Sequence, residues 1–512
     1  MRNLIWYLLV FGFVLNTGVL AQPEMDTTFA GTGKTLISNG SQTYASDIAI
    51  QSDNRIIMVS GCWNFDLLQV PFCSIRVNEN GSLDHTFKAG HPFSNQGGVY
   101  TRFSGASGGA LGVALQNDGK VVVVGFATSG NDNVALVRYQ GADGSLDATF
   151  GTAGIVFTDV TPGSNDRAQK VAIQPDGKIV IVGYSGNDQI LARYLSDGTL
   201  DSSFGTGGIA RTTISGSAVK GSVLEIMHDG RIVAGGSHSN NTLVLTRFNS
   251  DGSPDTTWDG DGVLTVPGPW NSLSIAVMID GRVVVLSYPK SIYRFNTDGS
   301  PDITFDGDGV HTAALPASDS QVYDMAVSAS GRITVVGSHP MTLHSGGPWW
   351  TYRTAKYLSN GSPDTSYSGD GYLDFDIGTF HNDGATVVAF DTVGRTVIGG
   401  LSASGSAAVP FEHPIYSAAR LSAPSVTTVT ISGRVTGPNG NGVSNATVST
   451  QGVSTRTTPF GFYTLSVLTN QTYTVSVRAK NDLAFNKRTL LVDAEITDLD
   501  FVGQLFEMGR SK

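Results

Sequence analysis

The chain has 512 residues, with 43 Asp and Glu against 32 Lys and Arg and a formal charge of −11. Charged residues make up only 15% and glycines number 63, while hydrophobic residues at 40% suffice for a core. That balance suits short strands and tight turns rather than long helices or disorder, and an acidic chain is a poor match for nucleic acid, whose binding rests on phosphate neutralisation.

The chain opens with Arg2, an apolar run from Leu4 to Leu15, and small residues leading to Val19-Leu20-Ala21. This is the layout of a signal peptide (residues 1–21), with cleavage expected after Ala21. Asn16, Thr17 and Gly18 interrupt the run before the ~20 residues a spanning helix needs, and no second apolar run of that length occurs. The expectation is an exported, soluble protein of the medium or cell envelope, without a membrane span after cleavage. Cys62 and Cys73 are the only cysteines. Export makes oxidation available, so a disulfide between them is favoured over two buried free thiols.

From residue 26 onward one phrase recurs: Asp26-Thr-Thr-Phe29, Asp84-His-Thr-Phe87, Asp147-Ala-Thr-Phe150, Asp201-Ser-Ser-Phe204, Asp255-Thr-Thr-Trp258, Asp302-Ile-Thr-Phe305 and Asp364-Thr-Ser-Tyr367. Just before six of these stand Asn80-Gly81, Asp143-Gly144, Asp197-Gly198, Asp251-Gly252, Asp298-Gly299 and Asn360-Gly361. A second turn sits in mid-repeat, as at Asp118-Gly119, Asp176-Gly177, Asp229-Gly230 and Asp280-Gly281. Asn-Gly and Asp-Gly tolerate positive φ, so each marks a β-hairpin. Between the turns lie β-branched runs such as Val121-Val-Val-Val124 and Ile179-Val-Ile-Val182. Runs that do not alternate predict strands covered on both faces. Units of this size with about four strands each predict a β-propeller.

A basic residue precedes the turn in every unit: Arg76, Arg138, Arg193, Arg247, Arg294, Lys356 and Arg420. Arg420 has no Asp phrase after it, and Asp26 has no basic strand before it. Setting Asp26 beside Arg420 completes seven units, closes the ring and leaves no open blade for another chain. Each basic residue and its Asp are expected to tie two strands within a blade.

The pattern Asp-x-x-Phe-Gly-x-x-Gly at Asp147–Gly154 and Asp201–Gly208, with Gln-x-Asp-Gly-Lys at Gln116–Lys120 and Gln174–Lys178, resembles the delta-60 repeat of bacterial secreted proteins. The resemblance covers residues 24–421 and implies a propeller-like fold with no assigned chemistry. Residues 422–430 form a Ser/Thr/Pro linker. Beyond it Ile431-Ser-Gly-Arg-Val435, Ala446-Thr-Val448, Gly461-Phe-Tyr-Thr-Leu465 and Tyr473-Thr-Val-Ser-Val477 alternate as short strands, predicting a small β-sandwich over residues 431–505 and a tail at 506–512. This order is similar to the carboxypeptidase regulatory-like domain, which implies a prealbumin-like sandwich without a catalytic zinc.

The whole is thus expected to be all-β, a seven-bladed propeller over residues 22–421 followed by a small sandwich. No His-Glu-x-x-His, nucleophile elbow or phosphate loop occurs, so no catalytic residue, cofactor or metal ligand is assigned. Asp-Gly-Asp-Gly at 259–262 and 306–309 could suit calcium, but each offers too few oxygens, and solvent-facing turn Asp residues are the favoured reading. The Asn-Gly-Ser at Asn39 and Asn80 and the Asn-Ala-Thr at Asn445 are glycosylation sequons that read more simply as turns. Trp63, Trp349 and Trp350 lie in inserts (62–73, 339–352), where stacking on a ligand and packing over a blade end are both open. Residues 379–383 and 404–414 are further inserts. The expected role is non-enzymatic binding of a protein or glycan at the cell surface by a monomer. The alternative is a lyase or sugar-active hydrolase with its site at the channel mouth, since propellers host unrelated chemistries.

Overall fold

The computed structural model describes residues 25–37, 44–62, 70–87, 98–213, 218–238, 242–267, 271–312, 314–315, 320–341, 349–377, 383–403, 414–422, 428–450, 453–469, 471–479 and 483–505. The expected leader, most of the linker, the tail and the centres of the inserts lie outside these.

Seven antiparallel four-stranded sheets form the first body. Blade 1 spans residues 47–101, blade 2 107–158, blade 3 166–212, blade 4 219–267, blade 5 271–312, blade 6 321–375 and blade 7 383–421. Inner strands touch their neighbours all round, including Asp383–Phe390 of blade 7 against Asp47–Ile50 of blade 1, so the ring is closed. The β-branched runs explain the stacking. Val121 and Val123 share a core with Ile57 and Val59 of blade 1, while Val122 and Val124 share one with Ile179 and Ile181 of blade 3. Successive residues of a strand face opposite sides, so an uninterrupted run serves two interfaces. Each valine buried this way stabilises by roughly 1.5–3 kcal/mol.

The fourth strand of blade 7 comes from the other end of the chain. Lys34–Ile37 pairs with Pro414–Leu421 in the register Thr35 to Ala418, and Met25 bridges Leu421. The Asp26 amide donates to Arg420 O at 3.0 Å, and Arg420 Nε meets Asp26 Oδ2 at 2.7 Å. Phe29 is fully buried. The expected closure is what the structure contains. Asn54, which replaces a turn glycine, takes φ +62°, the left-handed conformation that asparagine tolerates.

The second body is the sandwich. Thr428–Thr436 lies between Phe462–Leu468 and Phe501–Val502, and the facing sheet runs Val453–Arg456, Thr447–Thr450, Gln471–Arg478, Arg488–Val492. Phe462–Leu468 strictly alternates exposed and buried residues, and Ile431, Val448, Leu465, Val475 and Val492 meet in the core. Its first strand begins at Thr428, so three residues expected in the linker belong to the sandwich.

Candidate functional site

One face of the ring carries the turns between first and second strands and those between third and fourth. Here the Arg and Asp columns meet. In blade 3, Arg193 Nε donates to Asp201 Oδ2 at 2.8 Å and Nη2 to Ser203 Oγ at 3.2 Å, while Nη1 donates to Ser250 O of blade 4. The guanidinium lies 4.6 Å from the Phe204 ring centre. Asp201 Oδ1 accepts from the Ser203 amide and hydroxyl, and Lys178 approaches Oδ2 at 3.3 Å. Arg76, Arg138, Arg247 and Arg294 repeat this, reaching Gly141 O, Ser196 O, Thr297 O and Ser359 O of the next blade. Arg420 does the same across the ring seam, to Glu79 O at 2.6 Å.

This corrects the expectation of a tie between two strands of one blade: each Arg joins its own loop Asp to the neighbouring blade's turn. The fork of the guanidinium, with several fixed donors, makes that possible. Lys356 stands apart. Asp364 Oδ2 is taken by Arg332 at 2.6 Å, and the Lys356 ammonium sits 4.7 Å from the Tyr367 ring. Burial pushes it down to about 8 despite Asp364 and Asp493.

The Asp-Gly-Asp-Gly stretches belong to the same loops. Asp259 and Asp306 take φ +49° and +51°, and their amides donate to Asp298 O and Asn360 O of the next blade. Asp261 and Asp308 accept from the amides of Val263 and Val310, both at 2.8 Å, and Asp306 holds His311 at 2.9 Å. These carboxylates shape turns. Among the described residues no group of three His, Cys, Asp or Glu is placed to hold a metal.

The sandwich rests on this same face. Ile279 and Ala329, at the turn tips of blades 5 and 6, pack against its core. Arg488 Nη1 donates to Ile279 O at 3.2 Å, Ser330 Oγ to Asp493 Oδ1 at 2.7 Å and Thr472 Oγ1 to Thr392 O of blade 7 at 2.7 Å. The corresponding tips of blades 1 to 4 are Ser52, Asn117, Pro175 and His228. The switch to Ile and Ala coincides with the seat of the sandwich.

At the ring's centre, a cavity of about 200 Å³ is lined by Asp47, Lys170, Glu225 and Asp324 among Val113, Val171, Ile275 and Met325. Lys170 Nζ meets Asp47 Oδ1 at 2.7 Å, Asp47 Oδ2 accepts from the Val113 amide at 2.9 Å, and Asp324 Oδ2 accepts from the Val388 amide at 2.8 Å. Burial pulls the Lys170 ammonium down, but Asp47, Asp324 and Glu225 outweigh it and hold it above an ordinary lysine. Burial pushes Asp324 up and raises Glu225 to about 7, against the Ile226 amide and the charge of Lys170. None of these four was singled out in the sequence. Among the described residues no histidine lines the cavity.

The opposite face receives the ends of the second and third strands. Strand ends at Gly61 and Phe72, Met341 and Trp349, and Ala403 and Pro414 open there, and the inserts they flank lie mostly outside the described residues, as do Trp63 and the Trp349 side chain. Trp350 sits half-buried on the third strand of blade 6, opposite Pro340. Cys62 and Cys73 are joined in a disulfide across the base of the first insert.

A family model described as "Domain of unknown function (DUF5122) beta-propeller" matches residues 116–150, 174–204 and 228–257, each running from the first turn of a blade to its Asp phrase. One described as "Carboxypeptidase regulatory-like domain" matches residues 430–503. No curated protein matches the chain. Solved structures similar to it include a protein of unknown function from Dyadobacter fermentans, at 9% identity over 76% of this chain and 97% of that one, TM-score 0.40. A polysaccharide lyase is similar at 11% identity over 74% and 89%, TM-score 0.40. PorZ of Porphyromonas gingivalis, a surface component of its type-IX secretion system, is similar at 15% over 88% and 59%, TM-score 0.40.

Proposed function

We propose that the protein is an exported, non-enzymatic scaffold of delta-60-type repeats that binds a protein or glycan at the cell surface through its insert-bearing face. The observation that carries this reading is the seat of the sandwich. It occupies the turn tips of blades 5 to 7, while the inserts interrupt the repeat on the other side. Binding residues concentrate on loops held by a rigid scaffold. The Cys62–Cys73 disulfide supports an oxidising compartment. A glycan and peptide array probed with residues 22–512 tests the reading: a specific ligand is expected, and none retained would sink it.

A second reading is enzymatic, favoured by Glu225 being held near 7 in the central cavity, the range suited to a general acid or base. Turnover of any array ligand that is abolished by Glu225→Gln would move the protein to that class.

A further inference from the structure

We infer that the rim of the insert-bearing face at blades 2 to 4 takes an acidic sugar, with Lys220 as the anion contact and the ring of Tyr184 beside it; this rests on the reading of that face as the binding face. Two neighbouring junctions repeat one arrangement. Arg167, on the inner strand of blade 3, lays its guanidinium 3.8 Å from the Phe126 ring centre of blade 2. Lys220, on the inner strand of blade 4, holds its ammonium 4.7 Å from the Tyr184 ring centre of blade 3. Phe126 and Tyr184 share one position, two residues beyond the β-branched run, where the second strand emerges on this face. Tyr288 of blade 5 holds the same position and is 45% exposed.

The two cations differ in what neutralises them. Arg167 is held by Asp132 of the blade 2 hairpin. The blade 3 hairpin carries Asn187 at the register of Asp132, and its carboxylate, Asp188, is taken by Arg211 at 3.5 Å and by the Thr213 hydroxyl, which donates to it at 3.1 Å. Lys220 is exposed, with no carboxylate within 4.0 Å among the described residues. In a chain of charge −11, it is an uncompensated positive point on the rim.

The geometry selects the ligand. An ammonium directly over an aromatic ring sets a positive charge and an apolar surface within the breadth of one sugar residue. A uronic or sulfated pyranose carries its anion on a rigid ring with an apolar C–H face and hydroxyls at its edge. An acidic peptide carries its carboxylate on a freely rotating arm and makes no use of the rings. Burial raises the Tyr184 phenol, which therefore stays protonated and can donate to a sugar hydroxyl.

Calorimetric titration of residues 22–512 with galacturonate hexamer, a sulfated galactose hexamer, neutral cellohexaose and a hexaglutamate peptide tests this. Binding of one or both acidic sugars is expected, at least about tenfold tighter than cellohexaose or the peptide and weaker at high salt. Lys220→Met should lower that affinity about tenfold, with Lys220→Arg retaining most of it. Because Lys220 is exposed, unchanged thermal midpoints are expected for both variants. Equal binding of cellohexaose or the peptide, or a Lys220→Met variant with undiminished affinity, would overturn the acidic-sugar inference while leaving a binding face. Failure of all four probes together with an empty array would remove both.

Discussion

Asp201 lies almost wholly inside the protein, and a carboxylate so placed is tolerated because donors surround it: Arg193, Lys178, and the amide and hydroxyl of Ser203. Removing one partner strands the other charge, which costs about 3–5 kcal/mol. Arg193→Leu should therefore lower the urea midpoint strongly, and Arg193→Leu combined with Asp201→Leu should recover much of the loss; a double variant worse than the sum would contradict the pairing. The same carboxylates set the acid limb of stability. For Asp147, burial raises the value, but the Thr149 hydrogen bonds and the charges of Arg138 and Lys120 outweigh it and hold it at about 2; Asp302 is likewise held at about 2. The unfolded value is ~3.9, so the native state binds fewer protons between the two. Stability from these groups is complete above pH ~5 and is lost as the pH falls from about 4 toward 2. Unfolding measured at pH 6, 4, 3 and 2 should show that steepening, and a flat profile would refute it. At this scale the columns of Arg and Asp were legible in the sequence, because each recurs once per repeat. Their third partner was not: Ser250 O lies 57 residues from Arg193, and no local spacing reports it.

Elements obey the same local rules. The uninterrupted valine runs announced strands buried on both sides, and Val121 to Val124 serve blades 1 and 3 in alternation. The motif Gly-x-x-Gly after the Asp phrase also has a physical cause. Gly205 takes φ +52°, and a Cβ there would lie 2.4 Å from Ile209 O, in the tight turn where Thr206 bridges Ile209. Gly205→Ala should cost about 1–3 kcal/mol in thermal or urea unfolding, and a neutral result would mean the turn relaxes freely. The inner strands were less readable. Each of six carries a register shift, as between Ala168 and Lys170 or Val322 and Asp324. One extra residue reverses the in–out parity of the remainder of the strand, so Lys170, Glu225 and Asp324 could not be assigned to the channel by alternation.

For the whole molecule, two arrangements decide what is available to a partner: the closed ring and the seated sandwich. The tip itself was a sequence signal for the second. Gln51, Gln116 and Gln174 precede the turns of blades 1 to 3, whereas Met227 and Met278 stand there in blades 4 and 5, and the tips of blades 5 and 6 become Ile279 and Ala329. In the bare sequence those changes look like drift of the repeat; with the sandwich in place, Ile279 and Ala329 are its footprint, while Met227 and Met278 pack in the cores between blades. Ile279→Asp sets a charge into that apolar contact and should free the sandwich, seen as faster proteolytic separation of the two bodies without loss of the propeller's own unfolding transition; unchanged proteolysis would contradict the seat.

The ring itself is tested most directly by amide hydrogen exchange of the full mature chain. Residues 34–37 and 414–421 come from opposite ends of the sequence, yet their backbones pair, so their amides should be protected together and, under rising denaturant, should lose protection together. Residues 25–37 exchanging within the first seconds while 414–421 stay protected would show that the first strand does not complete the last blade, and the closed seven-unit ring would have to be abandoned.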